Sequence, residues 1–63
     1  MPKTDLTVNL IGEDGNGFAI LGVVRRALQR AGYHALAAQY IEDATSGDYD
    51  NLLRVTMDYV NVE

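Results

Sequence analysis

The hydrophobic period of this chain changes within one short stretch, Gly12-Glu13-Asp14-Gly15-Asn16-Gly17-Phe18. Before it, Leu6, Val8 and Leu10 alternate with Thr7 and Asn9, the period of a half-buried strand. After it, Ile20, Leu21, Val23, Val24, Ala27, Leu28 and Ala31 fall on one arc of a helix, with Arg25, Arg26, Gln29 and Arg30 opposite. A strand must therefore turn into an amphipathic helix here. Back-to-back Asp-Gly and Asn-Gly pairs suit that turn, and Asp14 or Asn16 can cap the helix by accepting from its free N–H groups.

The first helix is expected from residue 17 or 18 to residue 31, with Gly32 ending it in the C′ position. Gly22 interrupts its middle at a cost of about 1 kcal/mol, which signals close backbone approach or plain tolerance. Phe18 lies off the apolar arc: it either tucks under the helix or is exposed. A second helix is expected over residues 34–45, with Leu36, Ala37, Tyr40, Ile41 and Ala44 on one face. Glu42 and Asp43 near its C-terminal end oppose the helix dipole. A third helix follows Gly47, capped by Asp48, with Tyr49, Leu52, Leu53, Thr56, Met57, Tyr59 and Val60 inward and an Asp50, Arg54, Asp58 ladder outward. Residues 60–63 alternate again and read either as a short strand beside residues 6–10 or as coil. Residues 1–5 read as a frayed lead without a secretory signal. The four tyrosines read mostly as half-buried edge residues, with Tyr33, just after Gly32, and Phe18 as the exposed aromatics and hence contact candidates.

The fold class is α+β: one N-terminal strand, three amphipathic helices, and a short C-terminal strand as an optional partner of the first, in a single small domain. At 63 residues the core is small, so stability calls for a staple or a partner. There is no cysteine, which removes disulfides and thiolate metal sites, and the single His34 cannot hold zinc without other strong ligands. Self-association or tight packing remains. No window is apolar enough to span a membrane. A formal charge of −4 disfavours generic binding to nucleic acid or anionic lipid.

The turn resembles an EF-hand loop in Asp14-Gly15-Asn16-Gly17, but Gly12 and Val23 then stand where the two strongest oxygen ligands belong. A phosphate loop would need Gly-Lys-Ser/Thr, and Glu13 and Asp14 repel phosphate. No metal or cofactor is therefore expected. His34 stands without a motif-positioned nucleophile, so no catalytic residue and no small-molecule substrate are assigned. The expected contact surfaces are the turn, with Glu13, Asp14, Asn16 and Phe18, the free edge of the strand, where a second copy can join, and the helix face with Arg25, Arg26 and Arg30. The arginines suit acidic residues of a protein, including the Glu42, Asp43, Asp48 and Asp50 region of this chain or a second copy. Nucleic acid is the alternative partner.

The segments Leu-Ile-Gly-Glu-Asp-Gly-Asn-Gly-Phe (residues 10–18), Val-Arg-Arg-Ala-Leu (24–28), Ala-Thr-Ser-Gly-Asp-Tyr-Asp (44–50) and Tyr-Val-Asn-Val-Glu (59–63) resemble a family of small uncharacterised bacterial and phage proteins. These segments together span most of the chain, and the resemblance implies a free-standing domain; no catalytic activity is known for that family, so it implies no site residues and leaves function open. Gly17 stands where that family has alanine, which loosens the first helical turn. The expectation is a small cytoplasmic, non-catalytic protein-interaction module that forms a homodimer.

Overall fold

The protein is described from a computed structural model, which covers residues 2–10, 12 and 16–63. The elements run β1 (Thr7–Val8), α1 (Gly17–Arg30), α2 (His34–Ala44), α3 (Tyr49–Tyr59) and β2 (Asn61–Val62). The strands pair in parallel, Thr7 with Asn61 and Val8 with Val62. Asn61 N–H donates to Leu6 O at 2.8 Å and Glu63 N–H to Val8 O at 2.9 Å. Parallel partners need a crossover, and the three helices together supply it.

Each helix buries one narrow stripe: Ile20, Val24 and Leu28 from α1, Ala37, Tyr40 and Ala44 from α2, and Leu52, Thr56 and Tyr59 from α3. Val8, Leu10 and Val60 close the core from the strand end. Helix α2 packs against both other helices, and its alanines permit the close approach.

The helix ends follow local chemistry. Asn16 caps α1, its Oδ1 accepting from Ala19 N–H at 3.1 Å. Asp14, the other candidate cap, lies outside the described residues. Gly32 takes φ +89°, its N–H reaches Gln29 O at 3.0 Å, and Tyr33 N–H reaches Leu28 O at 2.8 Å. That paired arrangement is a Schellman closure, and it satisfies carbonyls that would otherwise be orphaned. Asp48 caps α3 by accepting from Asn51 N–H at 3.0 Å.

Several expectations need correction. Residues 2–5 are not a frayed lead: Lys3 N–H donates to Asp58 O at 2.8 Å and Thr4 N–H to Tyr59 O at 3.1 Å. Thr4 is buried and its hydroxyl also donates to Tyr59 O, at 2.8 Å. This segment satisfies the last carbonyls of α3 just where Val60 turns extended and leads into β2. Tyr40 and Tyr59 are fully buried rather than at an edge. Their rings meet edge to face at 5.3 Å, and Lys3 Nζ stands 5.3 Å from the Tyr59 ring centre.

Both phenols are buried with partners. The Tyr40 hydroxyl and Thr56 Oγ1 lie 2.7 Å apart, and Thr56 donates onward to Leu52 O at 2.8 Å. Tyr59 donates to Asp43 Oδ2 at 2.7 Å, so Asp43 has a partner that offsets its poor place on the α2 dipole. The Asp50, Arg54, Asp58 ladder does not form; Arg54 instead donates to Asn51 Oδ1 at 3.0 Å. Ala31 and Met57 face solvent: Ala31 is the C-cap residue beyond the last buried turn of α1, and Met57 lies about 100° round α3 from buried Thr56. A Cβ built on Gly22 meets nothing within 4 Å, so close approach does not explain that glycine.

Candidate protein-interaction site

The N-terminal ends of α1 and α3 meet where Gly17 faces Tyr49 and Leu52. A Cβ built on Gly17 would stand 3.4 Å from Leu52 Cδ1 and 3.8 Å from Tyr49 Cδ1, ordinary contact distances, so alanine fits there. Between these ends lies an open groove of about 470 Å³, mostly apolar, whose lining includes Phe18, Leu21, Tyr49 and Leu52, with Asn16 and Asp48 as polar members. Phe18 stands at its rim and is 90% exposed. It sits on the second position of α1, off the buried stripe, so the helix geometry itself turns it outward.

Of the residues expected in this site, Asn16 and Phe18 are brought together at the groove. Glu13 and Asp14 lie outside the described residues. Arg25, Arg26 and Arg30 lie elsewhere: from Phe18 to Arg30 the helix rises about 18 Å. All three arginines are exposed. Among the described residues no carboxylate pairs with any of them, those of Glu42, Asp43, Asp48 and Asp50 included. Arg26 and Arg30 instead line a separate groove of about 270 Å³ with Thr7, Val8, Asn9, Val23 and Ala27.

Sequence reasoning did not find Leu21, Tyr49 and Leu52 as groove residues. The period puts Tyr49 on the buried face of α3, but as the first residue after the cap it is 38% exposed and lines the groove. Its place next to Asp48 was the available signal.

The electrostatics of the groove follow from its caps. The amide ends of both helices are met by side-chain oxygens of Asn16 and Asp48, and Asp48 disfavours an anionic ligand there. His34 is exposed at the first position of α2. Among the described residues no three His, Asp or Glu side chains are grouped to hold a metal ion. Burial raises the Tyr40 hydroxyl pKa, and burial together with the Asp43 carboxylate raises that of Tyr59 much further. Both phenols therefore stay protonated at neutral pH and act as hydrogen-bond donors or acceptors within the core. Every buried side-chain nitrogen and oxygen among the described residues has a partner. No described helix is long and apolar enough to cross a membrane.

Comparison with protein-family models, with curated proteins and with solved structures finds no match for this chain.

Proposed function

We propose that this chain is a small cytoplasmic, non-catalytic protein-interaction module that joins a second copy of itself through Phe18 and the adjoining groove. The observation that carries the reading is Phe18, a large apolar side chain almost fully in water beside a mostly apolar groove. Knob and recess belong to one surface, so two copies related by a two-fold axis can each insert Phe18 beside Leu21, Tyr49 and Leu52 of the other. Burying a phenylalanine is worth about 1.5–3 kcal/mol, and the symmetry counts it twice. A standard interface of ~800 Å² per partner would cover about a fifth of the 4101 Å² surface, which is ample support for a chain this small.

Sedimentation equilibrium across a concentration series tests this, with Phe18→Ser as the disrupting variant. Concentration-independent monomer mass for the parent chain would sink it. The resemblance to small bacterial and phage proteins is in keeping with a free-standing module and adds no site residue.

A second reading, nucleic-acid binding through Arg25, Arg26 and Arg30, rests on the exposure of the three arginines. The formal charge of −4 and the absence of aromatic side chains among these arginines weigh against it. Its test is a mobility shift with mixed DNA and RNA at several salt concentrations.

A further inference from the structure

A parallel ladder uses alternate backbone groups. With Thr7 opposite Asn61, the groups of β1 that face β2 are Leu6 O, Val8 N–H and O, and Leu10 N–H. The N–H and C=O of Thr7 point the other way, and neither makes a hydrogen bond among the described residues. That outer edge has α1 for a neighbour, since α1 packs on β1 and not on β2. The groove of about 270 Å³ between them is lined by Thr7, Val8 and Asn9 on one wall and by Val23, Arg26, Ala27 and Arg30 on the other, with no β2 residue. Arg26 and Arg30 are a helical turn apart, about 6 Å along the axis, close to the ~7 Å between alternate side chains of an extended strand.

We propose that this groove binds an extended acidic segment of a partner protein, which adds as a strand to the outer edge of β1 while Arg26 and Arg30 pair with its alternate carboxylates. The occupant follows from two complementary features. The unpaired N–H and C=O of Thr7 at the strand edge recognise another polypeptide backbone. Two exposed guanidinium groups without a carboxylate partner among the described residues recognise acidic side chains. A nucleic acid would use the arginines but has no use for the edge. This site is separate from the Phe18 groove and does not depend on dimerisation.

The experiment is fluorescence anisotropy with a labelled peptide of alternating Glu and Thr, titrated with the intact protein. Three controls accompany it: the same peptide with Gln for Glu, the Glu peptide N-methylated along one edge, and labelled oligothymidylate. The proposal expects saturable, salt-sensitive binding of the Glu peptide, loss of binding with Gln or N-methylation, and affinity reduced about three- to tenfold in the exposed double variant Arg26→Gln/Arg30→Gln. Phe18→Ser should leave the affinity unchanged. No binding of the Glu peptide, equal binding of the N-methylated peptide, or preferred binding of oligothymidylate would overturn it. So would a double variant that newly self-associates while the parent binds no peptide, since the arginines would then only guard the edge. The N-methylated peptide tests the edge on the parent protein, so the outcome does not hang on the folding of the variant.

Discussion

Replacing Tyr59 by phenylalanine keeps the ring in the core and removes one oxygen, the donor to Asp43 Oδ2 at 2.7 Å. A hydrogen bond to a charged acceptor is worth about 1.5–3 kcal/mol. Asp43 is exposed, so water replaces part of what is lost and the lower end applies, about 1.5 kcal/mol. For a domain of this size that is a fall in Tm of about 6–12 °C. Thermal melts followed by circular dichroism measure the fall in Tm, and urea melts the free energy. The sharper test is a double-mutant cycle with Asp43→Ala.

In the parent chain Asp43→Ala destabilises, because the buried Tyr59 hydroxyl loses its acceptor. In the Tyr59→Phe background it should be neutral or stabilising by about 0.3–1 kcal/mol, because a carboxylate leaves the negative end of α2. Equal costs in both backgrounds would refute the coupling.

Alkaline pH provides a second reading of the same contact. The native pKa of Tyr59 is raised above its ordinary value of 10.0 by burial first, then by its hydrogen bond to Asp43 and by the charges of Asp43 and Asp58. The stabilisation is whole below about pH 10, where both states are protonated, and falls as pH rises towards the native pKa, by up to ~1.4 kcal/mol per pH unit for each such tyrosine. Tyr40 is shifted the same way, so Tyr59→Phe should make the alkaline limb shallower without abolishing it.

Other substitutions test the joints of the fold by urea or thermal melts. Gly47→Ala places a Cβ 2.9 Å from Asn51 Cβ and disturbs the Asn51 bond to Asp43 O, so it should cost about 1–3 kcal/mol. Gly22→Ala meets open space on exposed helix and should stabilise by about 0.5–1 kcal/mol; a loss of stability would mean that the notch there is occupied. Thr4→Val removes the buried hydroxyl that donates to Tyr59 O and should destabilise by about 1–2 kcal/mol, whereas a frayed N-terminal segment would tolerate the change.

What the sequence made legible was local. The helix stripes, the Asp48 cap and the Gly32 closure depend on residues within a turn of one another, and each is where period and capping chemistry place it. Phe18 stood out as the apolar residue off its stripe. The contacts that escaped are long-range. Thr4 and Tyr59 are 55 residues apart, and nothing near Thr4 announces that it meets the end of α3. The depth of Tyr40 and Tyr59 is not legible in the pattern because a phenol at the core needs a partner, and those partners, Thr56 and Asp43, come from another helix. The surface ladder failed for a simpler reason: Asn51 offered Arg54 a nearer acceptor than a weak exposed ion pair. The groove at the helix ends needed the packing of α1 against α3 before Tyr49 could be placed on it.

In the proposed dimer the Phe18 surface holds two copies together. Sedimentation equilibrium of the parent chain and of Phe18→Asp, at matched concentrations and with circular dichroism to establish that both are folded, tests it most directly. A concentration-dependent dimer is expected for the parent and a folded monomer for Phe18→Asp, since each two-fold interface would take in two unpaired carboxylates. A folded parent chain that stays monomeric at every concentration, or a dimer that Phe18→Asp leaves intact, would contradict it.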